Sequence, residues 1–235
     1  MANRVPLALL PGLLLDRVLW RAQIDDLADL ADCRVADLTA RDSVSGMAAD
    51  VLAAMPERFA LAALSMGGYV ALEIMRQAPE RVTALALLDT TARPDSEDQT
   101  ARRRGLIELA KKGKFKGVTR QLMPMLIHAD RLNETALTGE VMAMAERIGR
   151  AAFLRQQTAI MTRPDSRPLL AQIACPALVL CGRQDALIPL DWHREMAADI
   201  RDAHLVVIEA CGHLAPMERP EEVTAALRRW LARLS

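Results

Sequence analysis

The sequence predicts an α/β protein whose mostly parallel, six-stranded sheet is covered by helices on both faces. Short, uninterrupted apolar segments alternate with segments of helical periodicity in the first and last thirds of the chain. Uninterrupted apolar segments are typical of strands that are buried on both faces of a parallel sheet. Proline, glycine and polar residues separate these segments, as expected for the loops of such a sheet.

Composition narrows the class of protein. The chain has 235 residues, about half of them hydrophobic, with 30 basic and 30 acidic residues. A zero net charge gives no general attraction to nucleic acid, and no apolar run approaches the roughly 20 residues that span a bilayer.

The four cysteines form no C-x-x-C pair, so we expect reduced thiols and a cytoplasmic protein. The apolar run over residues 5–15 is interpreted as a strand with its loop, and not as a signal peptide, because Pro11 and Gly12 interrupt it.

The first part of the chain contains two predicted strands and two predicted helices. In chain order they are a strand, a helix, a weak strand and a helix, over residues 5–10, 20–30, 33–38 and 47–55. The loop that follows the first strand is unusually apolar. Ser43 or Ser45 can cap the second helix, and Pro56 ends it.

The next unit has the layout of a nucleophile elbow. An apolar strand over residues 59–64 turns at Ser65 and continues as a helix-compatible run. In the pattern G-x-S-x-G, a tight turn between strand and helix exposes the serine Oγ. Gly67 and Gly68 allow the helix to pack closely on the sheet, and Ala63 replaces the first glycine of the pattern. A serine in an ordinary strand-to-helix loop is the alternative interpretation.

Helical patterns replace strand patterns in the middle of the chain. A strand over residues 82–88 is followed by Asp89, and residues 93–165 then contain only helical runs. These runs cover residues 100–112, 115–127, 134–148 and 151–162. We interpret residues 93–165 as a helical cap inserted into a core formed by residues 1–92 and 166–235. The alternation then resumes with a strand, a helix, a strand and an amphipathic helix, over residues 177–181, 190–198, 203–208 and 220–234.

Four side chains with useful chemistry follow directly after predicted strands, namely Ser65, Asp89, Asp185 and His213. In parallel α/β sheets, ligand sites lie beyond the carboxyl ends of the strands. A serine hydroxyl needs a base to take its proton, and the base needs an acid that fixes its tautomer. His213 is the best base and Asp185 the best acid, with Asp89 as the alternative acid.

Short motifs over nearly the whole chain support this interpretation of the candidate site. They are Leu10-Pro11-Gly12, Ser65-Met66-Gly67-Gly68, Ala78-Pro79-Glu80-Arg81-Val82, Leu87-Leu88-Asp89, Cys181-Gly182-Arg183-Gln184-Asp185, and Gly212-His213 with Glu218-Arg219-Pro220-Glu221-Glu222-Val223. Together they resemble the α/β-hydrolase superfamily, in particular compact bacterial serine hydrolases or carboxylesterases with a small helical cap. The order Ser, Asp, His is also the order in that family. The resemblance implies a catalytic triad of Ser65, Asp185 and His213.

The resemblance also implies an oxyanion hole made of backbone N–H groups. The expected donors are Met66 and Leu13, and Leu14 is the rival of Leu13. Pro11 stands where the family usually has His-Gly, and proline lacks the donors of that histidine. The chain begins at what is the third strand of the family's full fold, which implies a sheet of six strands.

The expected activity is that of a serine hydrolase that cleaves a carboxylic ester or thioester through an acyl-enzyme. Its partner is a small, largely apolar molecule, and Leu14, Met125 and Phe153 are predicted to bind it. A lactonase or C–C bond hydrolase with the same triad is one alternative, and a non-catalytic ligand-binding protein on the same fold is another. We expect no cofactor, no metal, no nucleic acid and no membrane partner.

One charge cluster stands apart from this scheme. All four lysines of the chain lie within six residues, at Lys111, Lys112, Lys114 and Lys116. The simpler interpretation of this lysine cluster is a solvated helix face; the sharper one is that it favours a substrate with a negative group. Among the other histidines, His128 is interpreted as a partly exposed helix-end residue, and His193 and His204 as structural or exposed.

Overall fold

Six parallel strands form one sheet in the computed structural model, which describes residues 4–234. Their order across the sheet is β2-β1-β3-β4-β5-β6, and every neighbouring pair is parallel. The strands are β1 Val5–Leu10, β2 Ala31–Val35, β3 Phe59–Leu64, β4 Val82–Leu88, β5 Ala177–Gly182 and β6 Ala203–Ile208. The predicted fold class is therefore confirmed.

Helices connect the strands and cover both faces of the sheet. They are α1 Arg21–Asp26, α2 Val44–Ala54, α3 Met66–Gln77, α4 Glu97–Leu109, α5 Met123–Leu126, α6 Thr135–Met161, α7 Arg167–Leu170, α8 Leu190–Asp199, α9 Ala215–Glu218 and α10 Pro220–Leu231. Ser43 caps α2, since its Oγ accepts from the Gly46 N–H. No helix within residues 4–234 has both the length and the apolar character that crossing a bilayer demands.

The central strands are buried on both sides, which explains their uninterrupted apolar sequences. All six residues of β3 are buried, and their side chains alternate between two core layers. Leu61 and Ala63 join the layer that contains residues of α2, α3 and α8. Ala60, Ala62 and Leu64 join the layer that contains residues of α10 and of the first half of α6.

The edge strand β2 is less apolar because only part of it is covered. Asp32 and Arg34 are exposed, whereas Ala31 is buried. The polar residues interrupt the apolar pattern, so the predicted bounds of 33–38 lie two to three residues too late along the chain. Strand β2 pairs only with β1 and therefore forms one edge of the sheet.

The chain between β4 and β5 contains helices and turns, and no strand, among the described residues. The prediction of one helix over residues 115–127 is wrong, since only the short helix α5 and a 3-10 turn form there. Gly117 has a φ of 61°, a left-handed conformation that an α-helix cannot pass through. Helix α6 is interrupted at Gly149, where φ is 75°, so its two halves correspond to two separately predicted helical runs.

Candidate active site

Ser65 occupies a strained turn between β3 and α3. Its φ of 53° and ψ of −117° lie in a region that residues other than glycine seldom adopt. Three hydrogen bonds hold the turn: the Ser65 N–H donates to Leu88 O (3.0 Å), and Ser65 O accepts from the Gly68 N–H (2.9 Å) and from Thr90 Oγ1 (2.7 Å). Strain maintained by the surrounding structure is common at functional sites.

Close backbone packing explains the two glycines after Ser65. A Cβ at Gly67 would lie 2.5 Å from Leu10 O, and one at Gly68 would lie 2.3 Å from Thr90 Oγ1. Any larger residue would push the start of α3 away from the ends of β1 and β4. The two glycines thus fix where the helix begins relative to Ser65.

Ser65, His213 and Asp185 form a continuous chain of hydrogen bonds. His213 Nε2 lies 2.9 Å from Ser65 Oγ, and His213 Nδ1 lies 2.8 Å from Asp185 Oδ2. The side chains of His213 and Asp185 are 4% and 0% exposed. In the tautomer that donates Nδ1–H to the carboxylate, Nε2 presents its lone pair to the serine hydroxyl.

The carboxylate of Asp185 is itself held in place by backbone donors. Its Oδ1 accepts from the N–H groups of Leu187 (2.8 Å) and Ile188 (3.1 Å). These bonds occupy one oxygen and direct the other toward His213. The loop after β5 therefore sets the orientation of the imidazole.

The loop that carries His213 is anchored by Glu218 and by α5. Glu218 Oε1 accepts from the N–H groups of Gly212 (3.0 Å) and Leu214 (3.2 Å), and Oε2 accepts from that of His128 (2.7 Å). The His213 N–H donates to Leu126 O at 3.0 Å. Burial raises the pKa of Glu218 above its usual value, although the three backbone donors act in the opposite direction.

Asp89, the alternative acid, contacts other groups. It is fully buried and accepts from the N–H groups of Gly182 (2.8 Å) and Ala215 (3.4 Å). Burial, followed by the nearby charge of Asp185, raises the pKa of Asp89 well above its usual range. Within the described residues, His213 Nδ1 is hydrogen-bonded to the carboxylate of Asp185 and not to that of Asp89.

The loop after β1, called here the Pro11 loop (residues 11–15), passes close to Ser65. A Cβ at Gly12 would lie 3.2 Å from Ser65 Cβ. Leu14 has a φ of 59°, and its N–H donates to Oε1 of Gln156 at 3.1 Å. For Leu13, no hydrogen-bond acceptor of its N–H is found in the described part of the chain. Met66 is the first residue of α3, so its N–H has no partner within the helix.

Gln156 is a site contact that sequence reasoning missed. It lies in the second half of α6, is 1% exposed, and also donates from Nε2 to Leu38 O at 3.1 Å. It is separated from Leu14 by 142 residues. No local pattern distinguishes this glutamine from its neighbour Gln157.

The three residues predicted to bind substrate lie in two places. Leu14 and Phe153 belong to a small buried cluster with Ala110 and Ala145, beside the partly buried Leu13. Met125 is 36% exposed on α5 and lies outside this cluster. Their role in substrate binding stays a prediction.

The remaining histidines are not part of the Ser65–His213–Asp185 chain. His193 is completely buried; its Nε2 accepts from the Thr90 N–H (3.1 Å), and Nδ1 lies 3.3 Å from Pro189 O. Burial lowers the pKa of His193 to about 4, so the ring is neutral. His128 is partly buried and His204 is exposed, in agreement with the sequence interpretation.

Cysteine is not a competing nucleophile at this site. Burial raises the pKa of Cys181, the cysteine in β5, to about 12. It also raises the pKa of Cys211, two residues before His213. A thiol with a raised pKa is a poor source of thiolate at neutral pH.

The sequence as a whole matches the model of the alpha/beta hydrolase family over residues 7–226. The chain belongs to the alpha/beta hydrolase family. Among solved structures of the fold, a thermophilic esterase from Thermogutta terrifontis superposes with a TM-score of 0.90 and 32% identity, covering 99% of this chain and 91% of that one. This likeness supports a hydrolase that acts on ester bonds.

Two further similar proteins match at lower sequence identity. A 2-hydroxy-6-oxononadienedioate/2-hydroxy-6-oxononatrienedioate hydrolase from Paraburkholderia xenovorans is 27% identical over 183 residues, which is 75% of this chain. The match spans only 63% of the length of that relative. The enol-lactonase from Burkholderia xenovorans has a TM-score of 0.88 over 98% of this chain and 92% of its own, but at 22% identity it shows the shared fold alone.

Proposed function

We propose that this alpha/beta hydrolase is a serine hydrolase that cleaves a carboxylic ester or thioester of a small, largely apolar substrate. The observation that carries the proposal is the unbroken relay from Ser65 Oγ through His213 to Asp185, with hydrogen bonds of 2.9 and 2.8 Å. The strained turn at Ser65 adds support, because it places the hydroxyl at the carboxyl edge of the sheet.

In the proposed mechanism, Ser65 Oγ attacks the substrate carbonyl carbon while His213 Nε2 takes the hydroxyl proton. Asp185 stabilises the imidazolium and keeps Nε2 directed at the reacting atoms. The imidazolium then protonates the leaving group as the carbonyl re-forms, which leaves an acyl-enzyme. A water molecule, deprotonated by His213, hydrolyses the acyl-enzyme and restores the serine.

The developing oxyanion is assigned to the N–H groups of Met66 and Leu13. Leu14 was the rival donor, but its N–H is already bonded to Gln156. The Met66 N–H lies at the start of α3, where the helix dipole also favours negative charge. Loss of one such donor typically lowers the rate by about 100- to 1000-fold.

We further propose that residues 93–165 act as a cap over the site. Ala110, Ala145 and Phe153 of this segment pack against Leu14 of the Pro11 loop, so the segment lies beside the proposed oxyanion hole. An apolar surface at this point favours an apolar acyl group. The four free cysteines among the described residues are consistent with a cytoplasmic location, which stays a prediction.

The test compares Ser65→Ala and His213→Ala with the wild type on p-nitrophenyl acetate. Because both groups act as one unit, each change should lower kcat by about 10⁴-fold or more. A fluorophosphonate probe should label the wild type and not Ser65→Ala. The matched control is Ser43→Ala, which removes a helix cap and should keep activity within about twofold. Hydrolysis that survives in Ser65→Ala would refute the serine mechanism.

Two alternatives have distinct signatures. A lactonase or C–C bond hydrolase would use the same triad but would prefer lactones or diketones over short esters in a substrate panel. The relatives named as a dienedioate hydrolase and an enol-lactonase make both classes worth including. A non-catalytic binding protein would leave Ser65 unlabelled by the probe.

A further inference from the structure

We infer that Gln156 is a positioning residue that holds the Pro11 loop in the conformation needed for the Leu13 N–H to serve the oxyanion hole. This role rests on the proposed function, in which the Leu13 N–H is one of two oxyanion donors. Gln156 is the residue that supports this donor. Gln156 does not contact the reacting atoms. It acts through Leu14, its hydrogen-bond partner in the loop.

The Leu13 N–H lies in the plane of the Gly12–Leu13 peptide, and the Leu13–Leu14 peptide that follows belongs to the same turn. The Gly12–Leu13 peptide is held from within the loop, because the Leu15 N–H donates to Gly12 O at 3.2 Å. The Leu13–Leu14 peptide is held from outside, because its N–H donates to Gln156 Oε1 at 3.1 Å. A trans peptide is planar, so the bond to Gly12 O orients the peptide that carries the Leu13 N–H, and the bond to Gln156 ties the adjoining peptide of the same turn to α6.

Gln156 is itself fixed at both ends of its amide. Its Oε1 accepts from Leu14, and its Nε2 donates to Leu38 O at 3.1 Å, at a site that is 1% exposed. This pairing allows only one orientation of the amide. In a flipped side chain, Nε2 would face the Leu14 N–H, which is also a donor, and Oε1 would face Leu38 O, which is also an acceptor. A buried amide with both ends satisfied is a rigid support.

The Pro11 loop needs such a support for two reasons. Leu14 has a φ of 59°, which a leucine adopts only when its surroundings enforce it. Pro11 has no N–H of its own to contribute to the loop. Phe153, one helical turn before Gln156, packs in the cluster that contains the Leu14 side chain, so the same face of α6 holds both the side chain and the backbone of Leu14.

The hydrogen bond also settles which of two adjacent N–H groups is available. Leu13 and Leu14 offer neighbouring donors, and the amide of Gln156 occupies the second of them. Without that acceptor, the Leu13–Leu14 peptide loses its anchor to α6, and the turn that carries the Leu13 N–H is held less firmly. Preorganisation of donors is the main source of oxyanion stabilisation.

The experiment replaces Gln156 by methionine, which has similar length and no amide. We expect Gln156→Met to lower kcat on p-nitrophenyl acetate by about 10- to 100-fold, with KM changed less than about threefold, because the lost interaction acts in the transition state. Affinity for a boronic acid, which forms a tetrahedral adduct with Ser65, should fall by a similar factor. Gln156→Glu keeps an oxygen acceptor for Leu14 and should lose less kcat.

Gln157→Met is the matched control. Gln157 is the adjacent residue, is 2% exposed, and accepts from Arg103 Nη1 at 2.9 Å, away from the Pro11 loop. This variant should match Gln156→Met in any loss of stability while keeping kcat. Folding of all variants is checked by urea unfolding, and Gln156→Leu, which also lacks an acceptor for the Leu14 N–H, carries the test if Gln156→Met does not fold.

Three outcomes would overturn the inference. The first is a folded Gln156→Met that keeps wild-type kcat and boronic acid affinity, and the second is a change confined to KM. The third is an equal loss of kcat in the Gln156→Met and Gln157→Met variants. Ser65→Ala is measured in parallel. If it abolishes hydrolysis while Gln156→Met does not, only the role of Gln156 fails; if Ser65→Ala remains active, the proposed function fails with it.

Discussion

At the scale of single residues, the two buried aspartates near His213 have different surroundings. Asp185 gives one oxygen to backbone donors and the other to His213 Nδ1. Asp89 gives its oxygens to the N–H groups of Gly182 and Ala215, and burial raises its pKa. The first arrangement suits a charged partner of an imidazole, and the second suits a carboxyl that joins loops.

The replacement of each aspartate by asparagine separates these roles. Asp185→Asn presents an amide N–H₂ to His213 Nδ1 and so favours the tautomer that cannot take the serine proton. We expect its kcat on p-nitrophenyl acetate to fall by about 10⁴-fold. Asp89→Asn should stay within about tenfold of wild type, since it removes no contact to the imidazole. The opposite order of losses would make Asp89 the functional acid.

His193 gives a pH dependence of stability whose sign is fixed by its burial. Its pKa is about 4 in the folded chain, against 6.5 for an ordinary histidine. Between these values the unfolded chain binds more protons, so stability is lost as the pH falls from about 6.5 toward 4. From this group alone, the free energy of unfolding should be about 2 kcal/mol lower at pH 5 than at pH 7.

The variant His193→Gln tests this expectation. Glutamine offers an oxygen to the Thr90 N–H in place of Nε2 and does not titrate in this range. Urea unfolding at pH 7 and pH 5 should show a smaller loss of stability in the variant than in the wild type. An identical loss in both proteins would mean that His193 does not take up a proton on unfolding.

At the scale of secondary structure elements, the lysine cluster lies where α4 ends. Ala110 precedes the cluster and Phe115 lies within it, and both pack in the apolar cluster that contains Leu14 and Phe153. The lysines are exposed, and only Lys111 forms an ion pair, with Glu108, among the described residues. A cleft of about 270 Å³ between α4 and α6 is lined by charged, polar and apolar residues, namely Arg104, Ile107, Glu108, Lys111, Leu154, Thr158 and Met161. Its lining does not include Ser65 or His213.

On the sharper interpretation of the lysine cluster, a substrate with a distal negative group contacts these charges. Replacement of the four lysines by glutamine should raise KM for an ester that ends in a carboxylate by roughly 3- to 10-fold at low ionic strength. The effect should shrink with added salt. A neutral ester of the same chain length, measured on the same variant, is the control. Equal changes in KM for the two esters would mean that the lysine cluster is only a solvated face of the protein.

At the scale of the whole molecule, the sequence predicts what depends on local patterns. The buried strands β3, β4 and β5 are found within one residue of their predicted bounds, because burial on both faces makes them uninterrupted apolar segments. The edge strand β2 is displaced from its prediction because its polar residues face solvent. The predicted helix over residues 115–127 fails at Gly117, whose conformation no pattern of hydrophobic residues reveals.

The candidate site likewise has a part that the sequence predicts and a part that it does not. Ser65, Asp185 and His213 are predictable because each follows a strand, and parallel strands end at one edge of the sheet. The contacts that support them are not predictable, because they join residues far apart in the chain. Gln156 is 142 residues from Leu14, and His128 is 90 residues from Glu218. Neither glutamine nor glutamate in a helix carries a local signal of such a partner.

The hydrogen bonds that join residues 93–165 to the loops around Ser65 limit how that segment of this chain can be exchanged. Gln156 binds the Pro11 loop, while Leu126 and His128 bind the loop of His213 and its anchor Glu218. A graft of the whole segment from a relative would exchange these anchors together with the surface that is proposed to meet the substrate. New specificity is therefore more accessible through point changes between the anchors than through recombination of the segment as an independent module.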